Sequence, residues 1–233
     1  MPQLSIIDLM NNNINFYLYT NIAAVILLVG ILICSLALEN FTFKKISLKH
    51  LTVMALFAAC SAVLTGITAK IPILGNIRLA LGDWILFLIG LIFGPICGVI
   101  SAISTDTLMA VILPSPYGYH AGYMFGKSLL AFAGALVYLT RSNKRILLKV
   151  IVLYSTAYIF QSLFLNQIWM MSWAGVAAWA DLLFKLFKLP IVLPIYITIT
   201  YLAYIPIRKL LEGWNNEYVW CFKSEYKTRN LDY

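Results

Sequence analysis

Long apolar runs separated by short polar punctuation cover most of this chain, at about residues 16–38, 48–68, 84–113, 123–140, 146–167 and 182–207. A membrane-crossing helix needs about 20 apolar residues, so each run is a candidate span. The run from 84 to 113 is interrupted at Gly94-Pro95. Proline removes a helix donor and glycine permits a turn, so a break into two helices at this dipeptide is chemically reasonable.

The basic residues decide between one crossing and two. Lys44, Lys45 and Lys49 form one cluster, Arg141, Lys144, Arg145 and Lys149 a second, and Arg208, Lys209, Lys223, Lys227 and Arg229 a third. Two crossings between 84 and 113 place all three on one side, as expected of cytoplasmic segments, whereas one crossing strands the second cluster outside. The pattern therefore predicts an all-α bundle of seven transmembrane helices, with the N-terminus outside and the C-terminus cytoplasmic. The first run lacks a basic leader and is long for a signal peptide, so it reads as a retained helix. The predicted organisation is an additional N-terminal helix and basic linker over 1–47, a membrane domain over 48–210, and an aromatic, basic tail over 211–233. In that tail the Trp and Tyr residues suggest a segment at the headgroup level.

Composition agrees. Of 233 residues, 62% are apolar and 11% charged, with a mean hydropathy of +0.87; soluble domains are about half apolar and a quarter charged. The net charge of +8 is accounted for by topology and does not call for nucleic acid. Cys34, Cys60, Cys97 and Cys221 show no metal or redox spacing and read as buried free thiols.

One string resembles a phosphate-binding loop: AGYMFGKS, residues 121–128, fits its relaxed pattern. Such a loop needs a preceding strand and a cytoplasmic location for ATP. Here it opens a helix at the outer face, and Tyr123, Met124 and Phe125 fill its variable positions. The match is accidental, and Lys127 needs another role.

Ionisable side chains at bilayer depth usually line a cavity or pair with one another. Asp83, Asp106, Lys127, Asp181, Lys185 and Lys188 are of this kind, and most fall in the predicted outer half, together with Lys70, Arg78 and His120. An internal ion pair such as Asp106 with Lys127 is one reading. The other is a ligand site, because Trp84, Tyr117, Tyr119, Tyr123, Trp169 and Trp173 fall on the same side. Aromatic faces with nearby cations suit a small, flat, anionic ligand. With only His50 and His120 in the chain, a Ser/His or metal-dependent active site is not expected; no cofactor or metal is implied.

The strings FGPICGVISAISTD (93–106), YGYHAGYMFGKSLLAFAGALVY (117–138), FLNQIW (164–169) and KLPI (188–191) together resemble the S components of energy-coupling factor (ECF) vitamin transporters, most closely the folate group. The resemblance spans about residues 48–208. It implies a six-helix, non-enzymatic module in a prokaryotic cell membrane that captures a vitamin, here a folate, from outside. It also implies as partners a transmembrane coupling subunit and two ATPase subunits. Carried onto this sequence, it makes Asn166 a ligand contact and places Tyr119 to Tyr123 in the loop near the ligand. Arg78, Lys127 and Lys185 become candidate carboxylate partners, Asp106 and His120 members of the site, and Tyr119, Tyr123 and Trp169 ring contacts. Alanines four apart, Ala55-Ala59 and Ala58-Ala62, match the family's helix-packing feature, where small residues let backbones approach closely. The departures are Asp181 near the position of a family Arg, His120-Ala121-Gly122 where Pro-Gly is usual, and the additional first helix.

Overall fold

The computed structural model describes residues 6–40, 47–69, 81–114, 118–139, 145–175, 178–213 and 219–222. Among them the helices are α1 (Ile6–Leu38), α2 (Leu48–Ala69), α3 (Asp83–Phe93), α4 (Pro95–Ile112), α5 (Ala121–Leu136), α6 (Ile146–Ile159), α7 (Asn166–Ala174) and α8 (Ala178–Glu212). A π-helical segment, Phe160–Leu165, joins α6 and α7 into one continuous rod. The described residues thus form seven rods, as the apolar pattern predicts.

Five of these rods contain stretches long and apolar enough to cross a bilayer: Ile14–Leu38, Leu48–Thr68, Pro95–Ile112, Ile146–Ser172 and Asp181–Glu212. Their outward apolar side chains, such as Ile26, Val63 and Phe187, suit lipid tails rather than water. The chain is a multi-pass membrane protein.

The shortest helix, α3, is the centre of the bundle, and nearly all of its side chains are buried. It turns back into α4 at Gly94, whose φ of 101° lies in the region that favours glycine. Pro95 then occupies the first turn of α4, where its missing N–H costs nothing. The two helices run back to back: a Cβ on Gly98 would lie 2.8 Å from the Cα of Gly90. α5 closes on both. A Cβ on Gly90 would sit 1.8 Å from the Ala131 carbonyl oxygen, and one on Gly134 would sit 2.1 Å from that of Phe87. Three backbones meet there because small residues occupy every crossing point.

The Gly94 end carries a second set of contacts. Glu39, just beyond α1, accepts the Ile96 N–H through Oε1 at 3.2 Å, capping α4 from another part of the chain. Trp220 is fully buried, and its indole N–H donates to the Ala135 carbonyl at 2.9 Å. Val219, Cys221 and Phe222 are buried with it, and the Arg208 guanidinium lies 5.4 Å from the centre of the Phe222 ring. Residues 219–222 of the tail are therefore packed into the Gly94 end of the bundle and do not lie on its surface. Aromatic composition suits either place, and only the partner surface distinguishes them. The thiols divide as well: Cys97 and Cys221 are buried, whereas Cys34 and Cys60 are exposed on the bundle surface.

Candidate functional site

The opposite end of the bundle is built around the segment 118–120 and the start of α5. His120 is the N-cap of α5 and is 2% exposed. Its Nδ1 accepts the Gly122 N–H at 3.0 Å, and its Nε2 lies 3.1 Å from Thr20 Oγ1. The Thr20 hydroxyl donates to the carbonyls of Phe16 and Tyr17, leaving its oxygen to accept. This pattern assigns a neutral imidazole with its proton on Nε2. Burial agrees, lowering the pKa of this loop residue from 6.5 to about 4.

Around His120 the aromatic rings converge. The Trp169 ring lies 5.1 Å away at 36°, that of Tyr17 5.3 Å away edge-on, and that of Tyr123 6.1 Å away. Gly122 makes room for Trp169: a Cβ there would lie 2.4 Å from the indole ring.

Below this aromatic layer Lys127 Nζ lies 2.8 Å from Asp106 Oδ1, and Tyr119 donates to Asp106 Oδ2 at 3.1 Å. Burial first, then the Asp106 carboxylate, pushes the Tyr119 phenol above its ordinary value, which keeps it a donor. Asp83, buried at the start of α3, interacts electrostatically with Lys127, Asp106 and Lys188 and faces Gln161 of the π segment. Tyr154, Tyr158 and Tyr196 extend this polar cluster inward, with ring separations of 6.0 Å and 5.8 Å along the series.

The structure thus brings together Asp106, Tyr119, His120, Tyr123, Lys127 and Trp169. Lys185 stands at the α7–α8 corner, where its ammonium donates to Gln167 Oε1 at 3.2 Å and contacts Met170 Sδ. Gln167 in turn donates to the Ala178 carbonyl. Asn166 is half-buried at the first position of α7, directly after the π segment. Trp84 packs against the main core. Arg78, with Lys70 and Tyr117, lies outside the described residues. On α2, Ala55 and Ala59 are exposed and Ala58 is half-buried, while Ala62 is buried.

Sequence reasoning missed Tyr17, Thr20 and Asn21 of α1, together with Gln161, Tyr154, Tyr158 and Tyr196. Polar Thr20-Asn21 inside an apolar run, and tyrosines four apart at 154 and 158, were the available signals.

A family model described as "ECF-type riboflavin transporter, S component" matches residues 45–205. The chain belongs to this family. S components are vitamin-binding membrane subunits and not enzymes; ATP hydrolysis lies in separate partners. Accordingly, Gly126, Lys127 and Ser128 of the apparent phosphate loop stand within helix α5. A solved structure described as "Crystal structure of FolT bound with folic acid" matches with a TM-score of 0.58 at 21% identity. The match covers 69% of this chain and 97% of that one, and this S component shares the fold. No curated protein matches the chain significantly.

Proposed function

We propose that this S component captures a flat, fused-ring vitamin, a folate in the first instance, from outside a prokaryotic cell and delivers it inward. A transmembrane coupling subunit and two ATPase subunits would drive delivery. The observation that carries this reading is the cluster of Trp169, His120 and Tyr123 rings, tilted and edge-on to one another, at the same end of the bundle as the Asp106–Lys127 pair. Flat rings supply faces for a heterocycle, and the polar groups near them supply hydrogen bonds to its edge.

Orientation follows from charge. Lys49, Arg145, Lys149, Arg208 and Lys209 all stand at the ends of helices on the Gly94 side, away from His120. The positive-inside rule puts that side in the cytoplasm and the aromatic site outside. It also puts the N-terminus outside and the C-terminus inside. The domain division follows the same reading: 1–47 as an additional helix and linker, 48–210 as the vitamin-binding unit, 211–233 as a cytoplasmic tail.

For a folate, Lys185 and Arg78 are the proposed partners of the carboxylates, because Lys127 already holds Asp106. Asn166 would offer its amide to the ring edge. Riboflavin is the second reading. The family's description names it, and it needs no carboxylate partner. Among the described helix residues, Asp83, Asp106 and Asp181 match Lys127, Lys185 and Lys188 one for one, which suits an uncharged ring system.

The test is an equilibrium titration of the purified chain in detergent, following Trp fluorescence against folate, folinate, riboflavin, pantothenate and thiamine. Saturable submicromolar binding of a folate supports the first reading, and riboflavin alone the second. No binding by any of the five in folded protein overturns both.

A further inference from the structure

The family match begins at residue 45, so α1 lies wholly before it. Yet α1 makes the most specific contacts to the loop at the aromatic site. Asn21 Oδ1 accepts the Ala121 N–H at 2.8 Å while its Nδ2 donates to the Tyr17 carbonyl at 3.0 Å. Thr20 holds His120 Nε2, and the Tyr17 hydroxyl donates to the Tyr119 carbonyl.

These contacts complete the start of α5. The first N–H groups of a helix have no partner within it. Here Asn21 takes that of Ala121, His120 Nδ1 that of Gly122, and the His120 carbonyl that of Tyr123. Two of the three partners belong to the loop itself, and the third comes from α1, a hundred residues earlier in the chain.

The face of α1 that makes these contacts is continuous and buried deeper down. Ala24 and Leu28 form a cluster with Ala121, Phe125, Leu165 and Trp169, distinct from the main core. The other face carries exposed Tyr19, Ile22, Ile26 and Ile33. A helix serving only as an anchor has no need of an amide and a hydroxyl in its outer turns, where unsatisfied polar groups are costly in lipid.

We propose that α1 supplies positioning residues for the vitamin site: Thr20 and Asn21 hold the loop bearing Tyr119 and His120 closed over the bound ligand. The proposal rests on the vitamin-binding reading. Its mechanical consequence is that departure of the ligand requires these interhelical bonds to open, so α1 acts on dissociation more than on capture. The chain of contacts runs from Asn21 and Tyr17 through the loop to Tyr119, then to Asp106 and Lys127.

The test uses the full chain with Thr20→Val, Asn21→Leu and the conservative Thr20→Ser. Two quantities are measured: amide hydrogen exchange over residues 118–123 without ligand, and the association and dissociation rates of whichever vitamin the wild type binds. Loss of one such hydrogen bond should speed exchange and dissociation by about tenfold each, with association changed by less than about twofold. Thr20→Ser, which keeps the hydroxyl, should behave as wild type. A purely structural role would lower the yield of folded protein without separating the two rates.

Unaltered exchange in Thr20→Val and Asn21→Leu overturns the proposal whether or not a ligand is known. Faster exchange with unaltered dissociation overturns the retention role. Wild-type protein that binds none of the five vitamins overturns the functional reading and retention together, while the exchange result still decides whether α1 holds the loop.

Discussion

Lys127 of α5 and Asp106 of α4 form an ion pair at 2.8 Å, with their side chains 12% and 8% exposed. Tyr119 completes the carboxylate at its other oxygen. Breaking a buried pair by removing one partner typically costs about 3–5 kcal/mol, because the remaining charge is stranded. Lys127→Ala and Asp106→Asn should each lower the melting temperature. Lys127→Met combined with Asp106→Leu should recover much of the loss. A double-mutant cycle on thermal stability in detergent checks this; additive losses would show that the pair is not coupled.

The packing of α3 against α5 leaves no space for a methyl group. Gly134→Ala would put a Cβ 2.1 Å from the Phe87 carbonyl oxygen, and Gly90→Ala one 1.8 Å from that of Ala131. Neither obstacle is a flexible side chain, so the helices must separate. Both variants should fail to give monodisperse protein by size-exclusion chromatography. Gly30→Ala, where nothing lies within 4 Å of the added Cβ, should behave as wild type.

Trp220 fills the Gly94 end of the bundle and donates to the Ala135 carbonyl. Truncation of a buried Trp typically costs about 3–5 kcal/mol. Trp220→Ala should therefore lower thermal stability markedly. Vitamin affinity per folded molecule should be unchanged, because the proposed ligand site around His120 lies at the other end of the bundle. Measuring both on one preparation separates the effects.

Helix number and the turn at Gly94-Pro95 were legible because glycine, proline and the placement of basic residues carry direct physical meaning in a membrane protein. The Asp106–Lys127 pair was legible as one of two readings, since charge at bilayer depth must find a partner. Which faces turn inward was not. Lipid and protein core are both apolar, so the runs carry no amphipathic stripe to read, and Cys34 and Cys60 could not be told from buried thiols. Contacts such as Asn21 with Ala121 join positions a hundred residues apart and leave no local pattern. Trp220 illustrates the same limit, because an indole with one polar edge suits a headgroup layer as well as a buried carbonyl.

On α2, Ala55 and Ala59 form an exposed pair of small residues one turn apart, whereas Ala62 packs inward. If the outward pair is where the coupling subunit's helices approach, bulk there should block assembly without touching the ligand site. Ala59→Trp should bind vitamin as the wild type does and fail to copurify with coupling and ATPase subunits when all are coexpressed. Retained copurification would remove Ala55 and Ala59 from the interface.

The neutral state of His120 gives the site a pH dependence of defined sign. In an unfolded chain the imidazole takes up its proton near pH 6.5, and in the folded protein only near about pH 4. Between these values the unfolded state binds more protons. The stabilisation is therefore complete above about pH 6.5 and is lost as the pH falls through that window. Protonation also converts Nδ1 from an acceptor into a donor facing the Gly122 N–H, so the cap of α5 fails in the same range. Relative to His120→Gln, the wild type should lose melting temperature progressively between pH 6.5 and 4. Carboxylates that titrate nearby are common to both proteins and cancel in the difference. Parallel profiles for the two would show that His120 does not carry the effect.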